Sequence, residues 1–194
     1  MLIALGAMMF SCKSAPKEEK IPVAVQLYSV RGEMEKDFHG TLSAIADMGF
    51  EHVRLPIDEE QFYDENLNRY DDAFELLEKA IEWTLENDMN IVVDLHITRA
   101  HYFLTEYENT LFSDPAAQQH MIDMWKDLQK FLKKYPTNRL AYELLTEAVA
   151  PTHEALNDLE SRLISAIREQ EPERFIVVGS NWQQSVVTMQ YLQV

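Results

Sequence analysis

A single cysteine, Cys12, occurs among the 194 residues, so no internal disulfide can staple the chain. Cations are also scarce: 17 Lys and Arg stand against 33 Asp and Glu, a formal net charge of −16. Neutralising a phosphate backbone needs clustered Lys and Arg, and none is found, which excludes nucleic acid as a partner. An acidic surface does not oppose a neutral ligand such as a polysaccharide, and it equally suits a merely soluble protein, so the charge excludes more than it establishes. No G-x-G-x-x-G follows the first strand-like segment, which leaves a dinucleotide fold without direct support. Fixed-period repeats, low-complexity tracts and internal linkers are missing after residue 20. The composition itself, 46% hydrophobic and 26% charged, is that of a globular protein. The length suffices for one domain but is short of the roughly 250 residues of an eight-fold β/α barrel.

The N-terminus carries a separate signal. Residues 2–11, LIALGAMMFS, are too short to span a bilayer. They resemble the hydrophobic core of a secretory signal, without the usual positive leader. Met9-Phe10-Ser11-Cys12 resembles a loose lipobox, the site at which bacterial lipoproteins are cleaved and acylated on the cysteine. The following KSAPKEEK suits a flexible tether. The expectation is a leader over 1–12, a linker over 13–21 and a folded domain over 22–194. Lipidation at Cys12 implies a bacterial cell-envelope location, periplasmic or surface, with membrane contact only through that anchor; if the lipobox is unused the chain is secreted. The alternative is a ragged N-terminus with a chance cysteine.

Beyond the leader, short apolar runs alternate with helical patterns. Residues 23–28 (VAVQLY), 52–55 (HVRL), 90–95 (NIVVDL), 139–145 (RLAYELL) and 175–179 (FIVVG) read as buried strands. Between them, 71–87 places Phe74, Leu77, Ala80, Ile81 and Leu85 on one face, with Asp71 and Asp72 suiting a helix N-terminus. In 114–135 the stripe is Met121, Ile122, Trp125, Leu128, Leu132 and Tyr135; Asp114 can cap, and Pro115 fits the first helical position. Leu156, Leu159, Leu163, Ile164 and Ile167 define a helix over 154–170, and 37–48 forms another that ends at Gly49. This alternation predicts an α/β fold with a parallel sheet, covered on both faces; a doubly wound sheet and a partial barrel both satisfy it.

Ligands of parallel α/β folds bind at the carboxyl ends of the strands. That rule selects Arg54, Pro56 and Asp58 after the second strand, and Asp94, His96 and His101 after the third. It also selects Glu143, Thr146 and Glu147 after the fourth, and Ser180, Asn181 and Trp182 after the fifth. Each has a structural alternative. Arg54 suits an ion pair, His96 a hydrogen-bonded core histidine, and Trp182 either a sugar-stacking platform or a core aromatic. Glu143 alternates with the apolar face and reads as buried or paired, whereas Glu147, two residues past the strand, is placed to face a pocket. His96 and His101 lack a third ligand nearby, which argues against a metal site.

These runs (GFEHVRLPID, IVVDLH, LAYELLTEAV and EPERFIVVGSNWQQ) resemble glycoside hydrolase family 5, the cellulase and endoglucanase group, from about residue 49 to 192. The resemblance implies a (β/α)8 TIM barrel, of which this chain supplies about five strands and four helices. It implies an O-glycosyl hydrolase acting on β-linked polysaccharide or oligosaccharide with retention, without a cofactor or metal. Glu147 becomes the acid/base, Arg54 the cation that steadies the nucleophile, and His96 a catalytic-site residue lining the sugar. Thr146, His101, Asn181 and Trp182 become substrate-binding residues. A glycosidic oxygen leaves only once protonated, and a second carboxylate roughly 5 Å away must attack the anomeric carbon.

Two departures accompany the resemblance. The family has Asn-Glu where this chain has Thr146-Glu147, and threonine offers one donor in place of an amide's two. No Asp or Glu follows Glu173, so the nucleophile is absent from this chain, implying an incomplete and weakly active or inactive hydrolase. Residues 22–50 resemble instead the start of the sugar phosphate isomerase/epimerase group (xylose isomerase-like barrels), the two resemblances meeting at Gly49-Phe50. Alternative functions are therefore a non-catalytic carbohydrate-binding surface lipoprotein and a sugar phosphate isomerase/epimerase. An open parallel sheet also exposes its edge strands, which implies self-association through them.

Overall fold

The computed structural model describes residues 21–104 and 109–194. The leader, Cys12 and the linker up to residue 20 lie outside the described residues. Five parallel strands form one sheet: β1 (Ala24–Gln26), β2 (His52–Asp58), β3 (Asn90–Ile97), β4 (Leu140–Glu143) and β5 (Ile176–Val177). Their order in the sheet is their order in the chain, β1-β2-β3-β4-β5. A doubly wound sheet reverses direction at a switch point, so the sequential order selects the barrel-type arrangement.

Four long helices cover the sheet: α1 (Phe38–Asp47), α2 (Asp71–Glu86), α3 (Pro115–Leu132) and α4 (His153–Arg168). Their starts follow from local chemistry. Asp37 accepts from the Gly40 amide at 2.9 Å, Asp114 from Ala116 at 2.8 Å, and Thr152 from Ala155 at 3.2 Å, each satisfying an otherwise orphaned N–H. α2 has no such cap and relies on Asp71 and Asp72 against its dipole. Past α1, Gly49 takes φ +88°, a conformation that favours glycine. The inward stripes anticipated from periodicity are buried, including Leu77 and Ile81 on α2, Trp125 and Leu128 on α3, and Leu159 and Leu163 on α4, with Leu85 and Ile164 half-buried against them. Burying such side chains stabilises by about 1.5–3 kcal/mol each.

The strand limits differ from the sequence-based expectation. β2 and β3 run on to Asp58 and Ile97, because each pairs with the other along most of its length. β4 stops at Glu143 and β5 has two residues, since they pair only at Tyr142–Ile176 and Glu143–Val177. Glu147 therefore lies four residues past its strand rather than two. Short helical turns over Leu27–Val30, Arg31–Met34, Glu59–Phe62 and Val186–Tyr191, and a left-handed turn over Asn181–Gln184, add to the four long helices. Ile21 and Val23 beside β1, and Phe175 and Val177 at β5, leave apolar surface exposed along the two sheet edges.

Candidate active site

The sheet register sets Asp94 opposite Glu143, with Arg54 two residues before the β2 position that faces Asp94. At the carboxyl rim their side chains converge. Arg54 Nε donates to Glu143 Oε2 at 2.6 Å and Nη2 donates to Oε1 at 3.0 Å. The same Nη2 lies 2.9 Å from Asp94 Oδ2 and also donates to the Thr146 hydroxyl. Thr146 Oγ1 in turn donates to Glu143 Oε1 at 3.0 Å, as does Gln184 Nε2 from beyond β5, also at 3.0 Å. His96 Nδ1 is 2.8 Å from Asp94 Oδ2. One guanidinium thus serves two carboxylates, Asp94 and Glu143, both buried.

That imbalance shows in the titration of the group. Burial raises the Asp94 carboxyl above its ordinary value, with the Glu143 charge adding to it, and outweighs the His96 hydrogen bond and Arg54 charge that pull it down. The hydrogen bond to Asp94 raises His96 above an ordinary imidazole, against its partial burial. Burial opposes the Arg54 charge, but Glu143 and Asp94 together hold the guanidinium more firmly protonated than usual.

In front of this cluster opens a cleft of about 580 Å³. Glu147, His96 and Asp58 line it with polar groups, while Tyr28, Tyr102 and Phe103 supply aromatic wall. Phe103 meets His96 edge-on, with centroids 5.7 Å apart, and Tyr102 lies 4.5 Å from Phe103. Burial lifts the Asp58 carboxyl above its usual range despite the attraction of His96. Mixed polar and aromatic lining of this kind suits an amphipathic ligand. Glu147 sits at φ +47°, a left-handed conformation uncommon outside glycine. Trp182, Gln183 and Gln184 also take φ of 58°, 59° and 57° in succession. Such strain gathers where a loop is held for a purpose.

The residues singled out in the sequence divide between two layers. Glu147 and His96 line the cleft, whereas Arg54 and Thr146 lie behind it in the ion cluster. His101 is 1% exposed and lines a neighbouring hollow; its Nε2 accepts from the Val149 amide at 3.2 Å. Asn181 is 2% exposed and bonds both ways to the Ala150 backbone. Trp182 does not line the cleft; it is 52% exposed and packs on His153 with centroids 4.8 Å apart. Among the described residues no group of three His, Cys, Asp or Glu is placed to hold a metal ion. The sequence did not point to Tyr28, Tyr102, Phe103 or Gln184. The aromatic pair directly after His101 was a usable signal; Gln184, on a left-handed turn built without glycine, gave none.

The cellulase family model (glycosyl hydrolase family 5) matches residues 17–191, which takes in the first βα unit along with the rest. Endoglucanase C of Acetivibrio thermocellus is 34% identical over 151 residues, covering 76% of this chain and 42% of that protein. Cellodextrinase A of Ruminococcus flavefaciens is 30% identical over 156 residues, covering 78% of this chain and 45% of the relative. Among solved structures, Thermotoga maritima Cel5A in complex with cellobiose superposes with a TM-score of 0.68 at 25% identity, over 80% of this chain and 48% of its own. The chain thus spans less than half the length of these relatives.

Proposed function

This chain belongs to the cellulase family, glycosyl hydrolase family 5, and from that premise we propose that its cleft takes a β-linked glucan with Glu147 as the proton-donating carboxyl. The observation that carries this is the placement of Glu147 in the aromatic-flanked cleft beside His96. Protonating the glycosidic oxygen is the step a lone positioned carboxyl can supply; a retaining displacement also needs a second carboxylate on the anomeric carbon. The ion pairs of Arg54 with Asp94 and Glu143 support its reading as the cation behind the site, and the exposed ring of Trp182 offers stacking surface outside the cleft. Among the described residues Asp58 is the other carboxylate lining the cleft. With only these two carboxylates lining the cleft among the described residues, our reading is a weak hydrolase, or an inactive one that still holds its sugar.

The test is titration of the purified chain with cellohexaose, followed by NMR at His96, Tyr102 and Phe103, beside reducing-sugar release from a soluble β-glucan. Binding that survives Glu147→Gln, with any release abolished, supports the assignment. Unmoved signals at all three residues sink it. A non-catalytic carbohydrate-binding role is favoured by the aromatic wall, which needs no second carboxylate; binding with no release even at high enzyme concentration selects it.

Two further readings are ours. The apolar run before Cys12 supports lipid attachment in the bacterial envelope, which radiolabelled palmitate incorporation lost in Cys12→Ser would bear out. Exposed Ile21, Val23, Phe175 and Val177 at the sheet edges support self-association, to be read by sedimentation velocity.

A further inference from the structure

The backbone immediately after Glu147 is held residue by residue from two other loops. The Ala148 carbonyl accepts from the Gln183 amide at 3.1 Å. The Val149 amide donates to His101 Nε2 at 3.2 Å. The Ala150 amide donates to Asn181 Oδ1 at 2.8 Å, and Asn181 Nδ2 returns a bond to the Ala150 carbonyl at 3.1 Å. Both anchors are themselves fixed. Thr98 and His101 exchange backbone bonds of 3.1 and 3.2 Å, and the His101 ring stands edge-on to Phe112 with centroids 6.0 Å apart. The Asn181 carbonyl is bonded by the Thr188 hydroxyl at 2.6 Å.

We propose that His101 and Asn181 are positioning residues that clamp Val149 and Ala150 and so hold Glu147 in its left-handed conformation, aimed into the cleft. Nothing local favours that conformation: a glutamate at φ +47° has no intrinsic preference for it and returns to the ordinary regions once released. The clamp acts on the backbone, so it fixes where the Glu147 Cα–Cβ bond points. A histidine can serve only as a neutral acceptor here. Burial pushes the His101 imidazole down to about 4, which keeps the ring neutral, and the Val149 N–H pointed at Nε2 selects the tautomer in which Nε2 carries no proton. The remaining proton then sits on Nδ1, which has no hydrogen-bond partner among the described residues. The buried Nδ1–H thus carries the cost of an unpaired donor, a cost met by what Nε2 does for the loop.

The importance of the clamp rests on Glu147 being the proton donor, but the clamp can be read without any hydrolysis. In the unmodified chain, ¹⁵N NMR should find His101 as the Nδ1–H tautomer, with a cross-hydrogen-bond coupling between Val149 N and His101 Nε2. A proton on Nε2 would overturn the proposal. His101→Phe keeps the volume and the ring edge but removes the acceptor. It should speed exchange of the Val149 amide about tenfold while amides of β3 stay protected, and move the Glu147 backbone chemical shifts toward those of an ordinary φ. His101→Gln, whose Oε1 can accept, should restore both. Unchanged Val149 protection and unchanged Glu147 backbone shifts in His101→Phe would also overturn it. If the clamp signatures are present and cellohexaose does not bind, the clamp stands and the glucan assignment fails.

Discussion

Two arginines sit among carboxylates at different depths of this sheet, and they are supplied differently. Arg174 is fully buried and donates to Glu171 Oε1, to the Leu140 carbonyl at 2.7 Å, to the Tyr135 carbonyl at 2.9 Å and to the Pro136 carbonyl at 3.1 Å. The Tyr142 hydroxyl completes Glu171 at 2.7 Å. One cation meets one carboxylate, and every donor has an acceptor. Arg54 instead faces Asp94 and Glu143 together, with His96 attached to the first; Asp94 Oδ1 has no partner among the described residues. Glu160 on α4 extends the series, a buried carboxylate without a cation among the described residues and with no hydrogen-bond partner for either oxygen. The balanced cluster builds the fold, while the surplus negative charge at the rim is what a site that handles protons and polar ligands requires.

Arg174→Met should show the largest effect, a loss of about 3–5 kcal/mol in urea unfolding, because a buried carboxylate and three carbonyls lose their donor at once. Arg54→Met tests the other side. It should cost less at pH 5 than at pH 8, since Asp94 is already inclined to take a proton and neutralise itself; a pH-independent cost would erase the contrast. No such recovery is expected for Arg174→Met, whose carbonyls stay unpaired at any pH.

Glu160→Gln comes next. Burial pushes this carboxyl up to about 8, so the folded chain holds its proton more tightly than the unfolded one. That stabilisation is complete below the ordinary glutamate value and is lost as pH rises toward 8. The variant should therefore gain a few kcal/mol at pH 9 relative to the parent and little at pH 5, by thermal melts at both pH values. His96→Gln should act more weakly. A raised imidazole contributes stability below about 6.5 that disappears as pH climbs through its folded value, and the variant should flatten that part of the stability curve. Smallest of all, removing the exposed Lys36–Glu33 pair should leave the melt unchanged within error.

Much of this arrangement is legible in the sequence alone. Period and caps gave the helices, because Asp114 with Pro115 and the stripe from Met121 to Leu132 depend on neighbours in sequence. The strand-end rule gave Arg54, His96, Glu143 and Glu147, since a parallel sheet delivers successive strand ends to one rim. It could not say that Arg54 and Thr146 lie behind Glu147 while Tyr28 and Phe103 lie beside it. That depth depends on how far each loop carries its side chain past the sheet. The strained residues were equally hidden: Trp182, Gln183 and Gln184 adopt left-handed backbone with no glycine to announce it, and bonds to Ala148, Phe103 and Glu143 hold them there.

The strand order has a kinetic consequence. Each strand pairs with its neighbour in sequence, so the sheet can grow by adding one βα unit at a time, without waiting for a distant segment. The ion cluster is different. Its bonds join Arg54 to Glu143, 89 residues away, and Glu143 to Gln184, 41 residues further on. Those closures become favourable only after β4 and β5 have docked. A chain folding as it leaves the ribosome would then assemble its scaffold from the N-terminus and complete its chemistry last.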